Sequence, residues 1–150
     1  MPDEILAALL ARKQQIGQAE MLGAIVPYLS MPEALAGPDV LHWIDSTSAK
    51  AALVHGYSGM PDSARIAHAF HAWNMGLAAR VWFEYVPSKA NPSDEPSRVD
   101  ISGQRFCMCE SPEISSNPVP LVFPPVARWY DPAGWAREAA AMRKLRRRAS

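Results

Sequence analysis

Three acids in this chain stand where a carboxylate can be presented to a ligand: Glu20, Asp45 and Asp94. Asp45 ends the apolar run Val40-Leu41-His42-Trp43-Ile44, and the residues after it, Ser46-Thr47-Ser48-Ala49, are typical of a helix start. Ligand sites of open α/β sheets lie outside the carboxyl ends of the strands, so an acid delivered there suits metal binding. The same position also fits a plain helix N-cap, a role that Asp and Ser both fill well. Glu20 falls in the first turn of an expected helix, at the edge of its apolar stripe. There it can equally well complement the helix dipole. Asp94 lies with Glu95 in a turn-rich stretch after a second strand.

Other chemistry-bearing residues form weaker patterns. His68 and His71 are three apart on an expected helix, a spacing that suits a metal, but no carboxylate lies nearby in sequence. They read as surface or half-buried histidines. Cys107 and Cys109 form a lone Cys-x-Cys with no second cluster to complete a zinc site, and read as reduced thiols.

Around these residues the composition is that of one ordinary domain: 150 residues, 49% hydrophobic and 20% charged. Fifteen Lys and Arg balance fifteen Asp and Glu, so no global charge draws the chain to nucleic acid. Arg143, Lys144, Arg146, Arg147 and Arg148 nevertheless crowd the C-terminus. Fourteen prolines, concentrated between Pro87 and Pro132, predict an irregular second half. No apolar run reaches the roughly 18 residues of a membrane span. The acidic Met1-Pro2-Asp3-Glu4 start is unlike a signal peptide, and the expectation is a soluble intracellular protein, cytoplasmic or nuclear.

The elements that must position the acids follow from periodicity. Pro2-Asp3-Glu4 predicts a short first helix with Ile5, Leu6, Leu9 and Leu10 as its stripe, closed by Arg12-Lys13. A second helix is expected from Gln18 to Leu29. Val40 to Asp45 is a strand, Thr47 to His55 a helix ended by Gly56, and Met60-Pro61-Asp62 starts the longest helix. On that helix Ile66, Phe70, Trp73 and Leu77 share one face. Arg80 to Val86 is a second strand, so strand, two helices and strand imply a parallel pair. Pro92 could open a short helix that brings Asp94 over the strand ends. Asn117 to Pro120 and Phe123 to Pro125 read as extended, and Asp131-Pro132 begins a last helix with Trp135, Ala139 and Met142 on one side.

Three blocks carry a resemblance. They are Gln15-Ile16-Gly17-Gln18-Ala19-Glu20, then Trp43-Ile44-Asp45-Ser46-Thr47-Ser48-Ala49, then Tyr85-Val86-Pro87-Ser88-Lys89-Ala90-Asn91-Pro92-Ser93-Asp94-Glu95-Pro96-Ser97-Arg98. In that order the chain resembles the ribonuclease H-like domain of retrotransposon reverse transcriptases, over Gln14 to Arg98. The resemblance implies an α/β, truncated ribonuclease H-like fold: a parallel strand pair with flanking helices and a Pro-rich irregular C-terminal part. Residues 1–101 would be the partial domain, and 102–150 a Pro-rich tail with a basic helix.

The resemblance further implies metal-dependent hydrolysis of the RNA strand of RNA–DNA hybrids. In the family two Mg²⁺ ions (or Mn²⁺) activate water and stabilise in-line displacement at phosphorus. Glu20 and Asp45 would hold one ion and Asp94 would help hold the other. Ser46, Asn91, Arg98, Arg146 and Arg147 are the expected nucleic-acid contacts. Expected partners are the hybrid itself, the rest of a reverse transcriptase, or a second copy of the chain.

The chain departs from the family at its start. Family members open with a three-stranded antiparallel unit whose first strand carries another Asp, whereas the residues before Glu20 read as a helix. One explanation is a retroelement fragment. The other is that Pro120 to Phe123, Arg105 to Met108 or a second copy fills the open edge beside Val40 to Asp45. The alternative function is a non-catalytic remnant that binds nucleic acid or protein through the basic tail and the Trp129 to Trp135 segment.

Overall fold

In the computed structural model, which describes residues 1–13, 15–37, 39–91 and 119–149 (145–149 by backbone alone), the two β-branched and aromatic runs become strands. Strand β1 is Asp39–Ile44 and β2 is Arg80–Tyr85. They pair in parallel, with Asp39 beside Arg80 at one end and Ile44 beside Tyr85 at the other. Helices α1 (Asp3–Ala8), α2 (Ile16–Ser30) and α3 (Pro32–Leu35) precede them. Helices α4 (Thr47–His55) and α5 (Pro61–Leu77) cross between them. After β2 come a 3-10 turn at Ser88–Ala90, another at Val126–Trp129, and α6 (Pro132–Ala149). Among the described residues the protein is therefore mixed α/β, with helices around a two-stranded parallel sheet.

Strand alternation divides the sheet into unlike faces. Ile44 and Phe83 point into the core, with Val40 and Val81 partly buried beside them. The opposite face exposes Leu41, Trp43 and Trp82. On α5 the expected stripe of Ile66, Phe70, Trp73 and Leu77 is entirely buried. The Phe70 ring lies 5.2 Å from Tyr28 and 5.5 Å from Phe83, which ties α5 to both α2 and β2. Trp73 Nε1 donates to the Tyr28 carbonyl at 3.0 Å.

Helix α6 belongs to the same core. The Trp135 ring lies 5.2 Å from that of Trp73, tilted by 59°, and Trp129, Trp135 and Ala139 are all buried. Gly76 lets the two helices approach, because a Cβ there would lie 2.5 Å from Ala139 Cβ. Within the Trp129 to Trp135 segment the two indoles are buried in packing, while Tyr130, Asp131, Pro132 and Ala133 between them are exposed. The division of the chain between residues 101 and 102 falls outside the described residues.

Several boundaries shift for local reasons. Helix α1 ends at Ala8, with Leu9 extended at its C-cap, so Arg12 and Lys13 do not close it. Leu6 and Leu10 are exposed while Ile5 and Leu9 are buried. Helix α2 starts at Ile16 rather than Gln18, despite Gly17. Pro120 to Phe123 forms no strand and does not fill the open sheet edge. Instead the Val122 N–H donates to Ser30 Oγ at 2.9 Å. Arg105 to Met108 lies outside the described residues. No helix among the described residues is long and apolar enough to cross a membrane.

Candidate functional site

The site is built at the carboxyl end of β1. Ile44, buried, anchors that end, and the chain leaves it through Asp45 into the first turn of α4. Ser46, not Asp45, is the N-cap: its Oγ accepts from the Ala49 N–H at 3.2 Å. Ser46 Oγ also lies 3.2 Å from Ser48 Oγ, so this buried hydroxyl is fully engaged locally. Capping therefore does not account for Asp45.

Asp45 instead meets the turn that follows β2. The Val86 N–H donates to the Ile44 carbonyl at 3.0 Å and carries the parallel ladder one step past β2. Pro87 then ends the strand, the 3-10 turn Ser88–Ala90 reverses the chain, and Asn91 Nδ2 donates to Asp45 Oδ2 at 3.1 Å. Asp45 and Asn91 are both half-buried. The amide holds one of the two carboxylate oxygens.

Glu20 approaches the same end of the molecule on α2. Gly17 lies one turn before it on the same helical face. A Cβ on Gly17 would sit 3.8 Å from Ser48 Oγ, so this face of α2 rests against the start of α4. Glu20 is half-buried there. Gln18, beside it in sequence but directed inward, donates to Ser63 Oγ at 2.9 Å and fixes the first turn of α2 to α5. Asp94 and Arg98 lie outside the described residues, as do the side chains of Arg146 and Arg147 and both cysteines. No group of three or more His, Cys, Asp or Glu able to hold a metal occurs among the described residues, which contain two of the three expected acids. The donors at this end are carboxylate oxygens, the ligand type that Mg²⁺ prefers.

A groove of about 560 Å³ runs along the outer side of β1 and ends at Asn91. Its walls include Tyr28, Met31, Leu35, His42 and Trp43. Within it Tyr28 Oη and His42 Nδ1 are 2.9 Å apart. Burial holds His42 below the ordinary imidazole range and pushes the Tyr28 phenol up, so both favour their neutral forms and are joined by one hydrogen bond.

His71 Nε2 is 2.7 Å from the Leu53 carbonyl and ties α5 to α4, while His68 is exposed. Sequence reasoning missed the ion pair of Arg12 with Asp62. Asp62 is fully buried, and its Oδ2 accepts from Arg12 Nη2 at 2.5 Å and from the Leu10 N–H at 3.1 Å. It looked like an ordinary helix-start acid, and nothing near it in sequence marks its distant partner. No protein-family description matches the chain, and comparisons with curated proteins and with solved structures give no match.

Proposed function

We propose that this chain is a ribonuclease H-like nuclease domain of retroelement origin, acting on the RNA strand of RNA–DNA hybrids with Mg²⁺ or Mn²⁺. The observation that carries the reading is the bond from Asn91 to Asp45. It sets the turn of the Asn-x-x-Asp motif against the acid at the strand end, which brings two of the three motif blocks together. The strand, helix, helix, strand order and the parallel pairing agree with the same reading.

In this reading Glu20 and Asp45 hold a divalent ion, and Asp94 helps hold a second. The ions, when bound, supply an activated water and stabilise charge at phosphorus. Asn91 keeps Asp45 from rotating away, and the cap on Ser46 fixes the backbone that carries it. The groove beside β1 leaves space for the strand with which family members begin. The test is cleavage of a labelled hybrid, with wild type and Asp45→Asn compared side by side.

The second reading is a remnant without catalysis that binds nucleic acid or protein. It is favoured by α1, which stands where the family has a strand bearing its shared Asp; Asp3 and Glu4 on it are exposed. Binding through the basic end of α6 would weaken steeply with salt, because phosphate contacts release counterions.

A further inference from the structure

The outer edge of β2 matches itself. Because the Val86 N–H bonds to the Ile44 carbonyl, strand alternation turns the backbone groups of Arg80, Trp82 and Glu84 toward β1. Those of Val81 and Phe83 therefore face away. Along this outer edge lies a groove of about 720 Å³, walled on its far side by α4 and α5. Val54 and Met75 on that wall are exposed, and no further strand pairs with β2 among the described residues. An exposed apolar edge invites pairing, and sheets gain independent stability at three or more strands.

Arg80, Trp82 and Glu84 share the uncovered face of the sheet, and Trp82 is 69% exposed. Two β2 strands run antiparallel about a twofold axis at Trp82 would set Trp82 against its counterpart. In the same register Arg80 faces Glu84 of the second copy, and Glu84 faces its Arg80. Val81 and Phe83 then fall at the hydrogen-bonded positions, as their outward backbone groups require. Trp82 falls at a non-hydrogen-bonded position, where opposed Cα atoms are closest, about 4.5 Å apart. Within each copy Arg80 is bonded to Asp39 and Glu84 to Lys50. The pairing would set Arg80 of one copy, held to Asp39 on β1, beside Glu84 of the other, held to Lys50 on α4. Strand β1 has no such self-match, since reversal sets Asp39 against Ile44.

We propose that the chain forms a homodimer through β2, in antiparallel register centred on Trp82, giving a continuous four-stranded sheet. The contact is isologous, so each side-chain pair occurs twice. This inference does not depend on the nuclease reading.

The experiment is sedimentation velocity of the full chain over a range of concentrations, for wild type, Arg80→Glu, Glu84→Arg and an equimolar mixture of the two variants. Far-UV circular dichroism verifies folding of each. Arg80→Glu places two carboxylates at the edge and Glu84→Arg two cations, so each variant repels itself and complements the other. The expected result is a wild-type dimer, self-association weakened about tenfold or more in each variant, and dimer restored on mixing. A merely structural role for either residue would not produce that rescue. A monomeric wild type, variants that still dimerise, or a mixture that stays monomeric would each overturn the proposal. A variant that fails to fold is replaced by Trp82→Cys with Cys107→Ser and Cys109→Ser, for which a disulfide-linked dimer supports the register and its absence under oxidation contradicts it.

Discussion

Asn91 Nδ2 donates to Asp45 Oδ2 at 3.1 Å, joining the turn after β2 to the carboxyl end of β1. Asp45 is not the cap of the helix that follows, because Ser46 caps α4. In the proposed reading this half-buried carboxylate, held by an amide beside a second acid-bearing helix, is the group that would receive a cation. The fold positions it with short-range devices: a buried Ile44, a serine cap and a proline that ends β2.

The cap and the acid should separate by mutation. Ser46→Ala should lower stability by about 1 kcal/mol, because the Ala49 N–H loses its acceptor. Asp45→Asn keeps an oxygen for Asn91 and should change stability by less than about 0.5 kcal/mol. Urea unfolding of both variants measures the difference, and a Ser46→Ala variant as stable as wild type would contradict the cap assigned to Ser46.

Gly76→Ala should destabilise despite the better helix propensity of alanine. The new Cβ would collide with the Ala136 carbonyl oxygen and lie 2.5 Å from Ala139 Cβ and 2.9 Å from the Ala140 nitrogen. Propensity gains about 1 kcal/mol. Forcing α5 and α6 apart costs more, and the expected net loss is about 2 kcal/mol. Thermal unfolding should show a melting temperature lower by several degrees.

Arg12→Met should cost about 3 kcal/mol, because it leaves Asp62 buried without its cation. In the wild type, burial alone would raise the Asp62 carboxyl, but Arg12 and the N–H groups of Leu10 and Ser63 together hold it below its ordinary value of 3.8. A depressed folded-state value means that the unfolded chain binds the proton first. The contribution is therefore complete above about 3.8 and is lost as pH falls through the lower folded value. Denaturation of wild type and variant from neutral to acid pH should show the gap between them narrowing at the acid end.

Much of this architecture is legible in the sequence because it rests on local pattern. Ile66, Phe70, Trp73 and Leu77 announce a buried helical face, and two apolar runs separated by two helices announce a parallel pair. Asp45 was visible as a strand-end acid, but deciding between Asp45 and Ser46 as cap needed backbone geometry, since either residue suits the position. Long-range relationships were not visible. Arg12 reaches Asp62 across 50 residues, and Trp135 finds Trp73 only once α5 and α6 are packed. The burial of Trp129 and Trp135 was not visible because their partner helix lies far away in sequence. At the site, the approach of Asn91 to Asp45 depends on how the 3-10 turn after β2 reverses, which no periodicity encodes.

The most direct measurement is hydrolysis of an RNA–DNA hybrid labelled on the RNA strand, with Mg²⁺ and separately with Mn²⁺, by wild type and Asp45→Asn. Wild type should cleave in a metal-dependent way, and cleavage should fall at least a hundredfold in the variant while both remain folded. A folded wild type that binds the hybrid without cutting it, or a variant that cuts as well as wild type, would contradict the assignment of Asp45 as a metal-holding acid.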